Sequence, residues 1–182
     1  MIEVSDSQIL ELYRTKGKAE KAFGLLLDKY QERTYWHIRR IVIHHEDADD
    51  VLQNTFIKIW KGLEGFRGDS ELFTWLYRIA TNEALSFLKR KANKSGRHSE
   101  DPELTIANRL QADEYFDGDE IQVRLQEVVA SLPEKQRIVF QMKYFDDMKY
   151  EQISEILETS IGALKASYHH AVQKIKAEFK ED

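Results

Sequence analysis

The chain has no cysteine among its 182 residues and only two prolines, Pro102 and Pro133. Without thiols it can form neither a disulfide framework nor a thiolate metal site, so a reducing cytoplasm is the expected compartment. Long apolar runs are missing too, and we expect neither secretion nor membrane insertion. The remaining composition, 42% hydrophobic and 32% charged, describes a helix-rich protein that can form a core.

An excess of basic residues is also absent, since the net charge is −5. Phosphate contacts need lysine and arginine, so this total argues against a nucleic-acid partner. The distribution changes that conclusion. Residues 1–95 carry 16 basic and 14 acidic side chains, residues 96–123 carry 2 and 8, and residues 124–182 carry 9 and 10. Because the acidity is concentrated in the middle, the parts on either side can still present basic faces.

Apolar residues at helical spacing predict two domains of four helices each, over residues 1–91 and 120–182. Residues 92–119 lack a sustained period, which predicts a flexible acidic linker. No period-two strand pattern occurs, so we expect an all-α protein, with an N-terminal bundle and a C-terminal helix-turn-helix domain. The predicted helices are Ser5–Tyr13, one from after Gly17 to His45, Asp47–Leu63, Ser70–Lys91 with Ser70 as N-cap, Ile121–Leu132, one with Pro133 at its first position, Tyr150–Leu157 and one from Ser160.

The last two predicted helices are joined by a short turn, the arrangement that presents a helix to the DNA major groove. At about 100° per residue, small residues occupy the centre of the face opposite the apolar stripe, with polar residues beside them. Small side chains permit close approach to base edges, and Lys165 is placed for phosphate. A helical hairpin that only packs remains the alternative. The predicted DNA-contacting set is Gly162, Ala163, Lys165, Ala166, Ser167, His169 and His170.

Two helices of the first domain carry further candidate faces. On the third, Asp50, Gln53, Ile57 and Lys61 form a second stripe, which suits a partner surface or an ordinary solvated face. On the fourth, an aromatic side chain lies within about 60° of basic and amide groups, a combination that suits stacking on unpaired bases. That aromatic residue could instead fill a gap between helices. The residues of this second face are Trp75, Arg78, Asn82 and Lys89.

The run His44–Asp50 (HHEDADD) has the ligand types of a metal or carboxylate site. Its aspartates fall at a predicted helix start, where acidic residues cap amides, and no second cluster completes a coordination sphere. Adjacent histidines such as His169 and His170 point about 100° apart and cannot readily chelate one ion. We expect no metal, no cofactor and no intrinsic enzymatic activity.

Three C-terminal segments resemble the fourth conserved region of the extracytoplasmic-function sigma factors of bacterial RNA polymerase. They are Ser131–Phe140 (SLPEKQRIVF), Tyr150–Leu157 (YEQISEIL) and Ser160–Ala171 (SIGALKASYHHA). Two positions depart from the family pattern. Lys149 stands where a capping Ser or Thr is common, and Glu158 stands where the turn often has Gly.

Three N-terminal segments resemble the second conserved region of the same family, in the family's order and spacing: Asp47–Trp60 (DADDVLQNTFIKIW), Phe66–Asp69 (FRGD) and Phe73–Asn82 (FTWLYRIATN). The resemblance implies that the helix from Asp47 docks on the clamp-helix coiled coil of the largest polymerase subunit through Asp50, Gln53 and Ile57. It also implies that the fourth helix and the loop 62–71 bind the −10 element and capture a flipped nucleotide. Trp75 is then the candidate stacking residue, with Arg67 and Ser70 as loop contacts.

The resemblance further implies that the helix-turn-helix reads the −35 element and that the linker sets the distance between the domains. The expected partners are core RNA polymerase, promoter DNA and an anti-sigma protein, for a chain that is a monomer when free. Two other functions remain open at this point. One is a conventional regulator whose first domain senses a ligand or dimerises, and the other is a metal-dependent enzyme built on the segment 44–50.

Overall fold

A computed structural model describes residues 4–94 and 120–180, and within them the regular structure is helical, with no strand. The N-terminal domain consists of α1 (Asp6–Arg14), α2 (Ala19–Val42), α3 (His45–Leu63) and α4 (Leu72–Lys94). The C-terminal domain consists of α5 (Glu120–Ser131), α6 (Glu134–Tyr144), α7 (Tyr150–Leu157) and α8 (Ile161–Glu178). The all-α prediction is confirmed, and the described residues of each domain form four helices. No described helix is long and apolar enough to cross a bilayer.

Several predicted helix ends differ from the observed ones by two or three residues. Helix α2 ends at Val42, because Ile43 takes φ 72°, and His45 therefore begins α3. Helix α4 begins at Leu72, two residues after the predicted start, and the Glu71 carbonyl accepts its first bond from the Trp75 amide. Ser70 is therefore not its N-cap. In the C-terminal domain, Pro133 is the N-cap of α6 and not its first helical residue.

The predicted boundary between domain and linker falls inside a helix, since α4 continues to Lys94. The rest of the predicted linker, residues 95–119, lies outside the described residues. A capping box at Ser5 and Gln8 starts α1, and Gly17 supplies the positive φ of 77° that turns the chain into α2. Ser5 therefore starts α1 and Gly17 separates α1 from α2, as the sequence predicts.

The N-terminal core lies between α2, α3 and α4, where Leu26, Ile38, Ile59 and Leu76 are fully buried. Helix α1 is held on this bundle by the Asp6 carboxylate, which accepts from the Tyr30 hydroxyl at 2.7 Å and from the Lys29 ammonium at 2.8 Å. Burial, followed by the hydrogen bond to Asp6, raises the pKa of Tyr30 far above its ordinary value. The phenol therefore keeps its proton and remains a donor.

The C-terminal domain has its own small core, built by Val129, Leu132, Phe140, Ala171 and Ile175. Its remaining apolar residues, among them Met142, Met148 and Ile153, join the larger apolar cluster of the N-terminal domain. Helix α7 packs against α4, and α6 packs against α2. The two domains therefore lie directly against each other.

Candidate functional site

The helix-turn-helix is built by α7, a three-residue turn and α8. Ser160 caps α8, as its predicted start required, and its hydroxyl accepts from the Ala163 amide. Glu158 takes the left-handed conformation, with φ 50° and ψ 41°, at the position where the family often has glycine. The Ser154 hydroxyl closes the turn by donating to the Thr159 carbonyl at 2.7 Å. The turn therefore forms without glycine, and Glu158 adopts a backbone conformation that is unfavourable for a residue with a side chain.

The two sides of α8 differ sharply. Leu164, Ala171 and Ile175 are buried on one side. The predicted DNA-contacting residues lie on the other side and are exposed, except for Ser167, which is half-buried. Among the residues that the structure describes, none would come within 4 Å of a Cβ added to Gly162, so none of them covers the start of this face. The structure therefore leaves a helix face with small central side chains open to solvent.

Tyr150, the first residue of α7, lies close to Lys165 of this face. The Lys165 ammonium lies 5.7 Å from the centroid of the Tyr150 ring, and the Lys143 ammonium lies 5.5 Å from it. Burial, followed by the neighbouring Tyr168 hydroxyl, raises the pKa of Tyr150, so the ring stays neutral between two cations. Lys149 makes no side-chain cap of α7, and its amide instead donates to the Gln152 side chain at 3.0 Å.

The second stripe of α3 is exposed along its length, at Asp50, Gln53, Ile57 and Lys61. Ile57 leaves 51% of its surface in solvent. By helical spacing Trp60 belongs to the apolar stripe of α3, with Leu52, Phe56, Ile59 and Leu63, but the structure leaves 38% of it exposed, with its ring packed on Tyr13 and Phe23. Trp60 follows Ile57 by three residues and widens the same apolar surface. Its place at the edge of the apolar stripe was the signal that could have indicated this.

The predicted −10 residues are divided between open and packed positions. Arg67, Asn82 and Lys89 are exposed, and Ser70 is half-buried. The half-buried Trp75 ring lies 5.1 Å from the Phe66 ring, and its Cζ2 atom would be 3.1 Å from a Cβ at Gly62. The ring therefore fills the gap between the end of α3 and the following loop, while part of it remains accessible.

Arg78 is the most enclosed charged member of this set. Its Nε atom is buried and has no hydrogen-bond partner among the residues that the structure describes. Further along α4, the buried Glu83 carboxylate pairs with Lys58 and lies 3.5 Å from Arg90. The end of the helix is basic, and the Lys91 ammonium lies 2.6 Å from the Asp47 carboxylate.

The segment 44–50 forms structural contacts at the start of α3. The His45 ring lies 2.7 Å from the Tyr35 hydroxyl and 3.5 Å from the Asp49 carboxylate. Glu46 and Asp47 lie in the first turn, where acidic groups complement the helix dipole. Within residues 4–94 and 120–180, no group of three or more His, Cys, Asp and Glu side chains is placed to hold a metal ion.

Comparison with known proteins agrees with the two-domain arrangement. Residues 26–94 match the family model "Sigma-70 region 2", and residues 122–175 match "Sigma-70, region 4". The chain is 30% identical to the RNA polymerase sigma-H factor of Pseudomonas aeruginosa, over 96% of this chain and 94% of that one. It is 28% identical to the ECF RNA polymerase sigma-E factor of Escherichia coli, over 95% and 93%.

Two solved structures share the fold. One is CnrH in complex with the cytosolic domain of CnrY, with a TM-score of 0.67 at 21% identity, covering 97% of this chain and 95% of that chain. The other is the sigma factor RpoE in complex with the anti-sigma factor NepR from Bartonella quintana, with a TM-score of 0.71 at 20% identity, covering 89% and 99%.

Proposed function

Since the chain belongs to the extracytoplasmic-function sigma factors of bacterial RNA polymerase, we propose how its two domains divide the work of that family. The protein is a non-enzymatic subunit that binds core RNA polymerase and directs promoter-specific initiation of transcription. In our proposal residues 1–91 bind the core enzyme and open the −10 element, and residues 120–182 read the −35 element. Residues 92–119 set the distance between the two domains.

The observation that carries this proposal is the exposed face of α8. Gly162, Ala163 and Ala166 leave the helix backbone accessible, and Lys165 is beside them for phosphate. A face of this kind can enter the major groove without steric conflict, whereas a hairpin that only packs would bury it. We assign reading of the −35 element to this face, with Ser167, His169 and His170 at its margins.

The exposed stripe of α3 supports a protein contact. Asp50 and Gln53 offer polar groups, and Ile57 offers an apolar side chain that is largely uncovered. We assign docking on the core polymerase to these three residues and extend the surface to the exposed edge of Trp60. An aromatic anchor beside an aliphatic one is typical of the centre of an interface.

The exposed basic and amide groups of α4, together with the accessible edge of Trp75, support binding of a separated strand. Arg67, Asn82 and Lys89 are free to reach phosphates and bases, and the Trp75 ring can accept an unpaired base by stacking. Ser70 and Arg78 contribute from half-buried positions. These residues form the −10 surface in our proposal.

We also propose an anti-sigma protein as the regulator of this chain. The RpoE structure, which shares the fold, is a complex with an anti-sigma factor. We place the action of the protein in the cytoplasm, where the polymerase meets its DNA, and expect a monomer before it binds the core enzyme. The absence of cysteine from the sequence agrees with a reducing compartment.

Run-off transcription with core polymerase and a promoter library tests the proposal directly. Adding the protein should produce specific transcripts from a subset of promoters that the core enzyme alone does not use. If the protein bound promoter DNA but conferred no initiation, it would act as a conventional regulator. Core-polymerase binding, measured by gel filtration, separates these two functions.

A further inference from the structure

A carboxylate is buried between α3 and α4 at the edge of the proposed −10 surface. Glu83 leaves 4% of its side chain exposed, and its two oxygens pair with different cations. The Lys58 ammonium of α3 pairs with Oε2, and the Arg90 guanidinium of α4 lies 3.5 Å from Oε1. We call these three residues the α3–α4 ion cluster.

The two cations of this cluster remain at the surface. Lys58 leaves 59% of its side chain exposed and Arg90 leaves 57%. In the part of the chain that the structure describes, Glu83 is the one acidic group that pairs with either of them. One carboxylate balances one of the two positive charges, so the cluster keeps an excess of positive charge that faces solvent.

The cluster adjoins the row of α4 that belongs to the −10 surface. Asn82 and Lys89 are seven residues apart and share one side of the helix. Glu83 and Arg90 follow them by one residue each, so they form the neighbouring row, about 100° further around α4. Because Glu83 pairs with a lysine of α3, this row lies on the side of α4 that faces α3. Arg90 is therefore at the edge of the −10 surface.

Lys58 approaches the same edge from α3. It precedes Gly62 by four residues, so the two positions lie on one face of the helix. The Trp75 ring packs at that face, since its Cζ2 atom would lie 3.1 Å from a Cβ at Gly62. Lys58 and Arg90 therefore border the place where the proposed function puts an unpaired base on the Trp75 ring.

A lysine and an arginine held side by side suit one oxyanion of the DNA backbone. The guanidinium offers several N–H donors in a fixed fork, and the ammonium adds a compact charge. Long side chains lose conformational freedom when they bind a ligand, and a carboxylate that already holds both of them reduces that loss. Stability alone is a weak reason for the cluster, because a buried ion pair is often no more stabilising than an apolar pair of similar volume.

On the basis of the proposed assignment of α4 to the −10 element, we propose that Lys58 and Arg90 form a binding site for one backbone phosphate of the separated strand. Glu83 is the positioning residue of this site. The phosphate lies next to the base that stacks on Trp75, so the site fixes the strand while the ring accepts the base. Neither cation is in the −10 set predicted from the sequence.

A change in the charge of Glu83 separates positioning from simple electrostatics. Removing an acidic group raises the positive charge of the protein, and by charge alone the affinity for DNA should rise. If Glu83 positions the cations, Glu83→Gln should instead bind a fluorescent single-stranded oligonucleotide of random sequence about fivefold more weakly. Fluorescence anisotropy with the full chain, in the absence of polymerase, measures this affinity.

Glu20→Gln is the matched control, because it removes the same charge from an exposed glutamate of the same domain, in the first turn of α2. This variant should bind the oligonucleotide as tightly as the parent protein or slightly more tightly. Glu83→Asp, which keeps a carboxylate, should recover part of the affinity that Glu83→Gln loses.

The salt dependence of binding counts the phosphates that the protein neutralises. On a single strand, each phosphate contact adds about 0.7 to the slope of log affinity against log salt concentration. Lys58→Met and Arg90→Gln should each reduce this slope by about 0.7, and the double variant should reduce it by the same amount, because both cations hold one phosphate. These variants also carry the test if circular dichroism shows that Glu83→Gln loses helix.

Unchanged or tighter binding by folded Glu83→Gln would overturn the positioning role. An unchanged slope in the two cation variants, a slope reduced by about 1.4 in the double variant, or a parent protein that binds no oligonucleotide would each overturn the phosphate site. Oligonucleotide binding by the free chain does not depend on initiation. Failure of run-off transcription would therefore contradict the proposed function and leave the phosphate site standing.

Discussion

Glu158 is the residue at which the backbone of the helix-turn-helix departs furthest from what its side chain favours. Its φ of 50° places the Cβ close to a carbonyl oxygen, a conformation that glycine adopts without this cost. The turn nevertheless forms, because the Ser154 hydroxyl and the capping Ser160 hydroxyl fix its two ends. The departure from the family pattern at this position therefore costs conformational energy but leaves the geometry of the turn intact.

Glu158→Gly should raise the free energy of unfolding by about 0.5 to 1 kcal/mol, since relief of the left-handed conformation exceeds the extra entropy of the unfolded chain. Urea unfolding followed by circular dichroism measures the change. Glu155→Gly, at an exposed interior position of α7, should lower it by roughly 0.5 to 1 kcal/mol. Equal destabilisation by both variants would show that position 158 gains nothing from glycine.

The Trp75 ring packs against Phe66 and is also partly exposed. A test of its role must therefore separate stacking on DNA from packing within the protein. Trp75→Ala should reduce promoter opening about tenfold or more while changing closed-complex binding less, because stacking acts only on the unpaired base. Permanganate reactivity of the −10 region measures opening, and a mobility shift measures binding. Phe66→Leu loosens the same packing without removing an exposed ring. If Phe66→Leu reduced opening as much as Trp75→Ala, Trp75 would act through packing alone.

Among the elements, α8 is where sequence and structure agree best. Its buried residues recur at regular helical spacing, and the centre of its exposed side has no bulky residue. Ala166→Leu should lower affinity for −35 DNA at least about tenfold, because a larger side chain prevents close approach to base edges. Ala177→Leu, an exposed alanine near the end of the same helix, should leave both affinity and stability nearly unchanged. Fluorescence anisotropy measures the affinity of each variant for −35 DNA. An equal loss of affinity in Ala166→Leu and Ala177→Leu would place the reading face elsewhere.

The elements also show what the sequence could predict. Periodicity located all eight described helices and the exposed stripe of α3, because each depends on residues three and four positions apart. It missed the end of α2, where Ile43 has positive φ although no glycine marks the position. It also could not find the contact between His37 and Asp146, which are 109 positions apart and carry no local pattern.

For the whole molecule, the separation of the two reading surfaces depends on the length of chain between Lys94 and Glu120. A deletion that leaves about nine of the intervening residues reduces the span of this segment to roughly 30 Å. That is well below the roughly 85 Å of B-form DNA that separates positions −35 and −10. Such a variant should still bind core polymerase and −35 DNA separately, but run-off transcription should fall about tenfold or more. A glycine and serine segment of the original length should restore transcription, because reach and not composition is required. Full transcription by the shortened chain would show that the two domains need not occupy the two promoter elements at the same time.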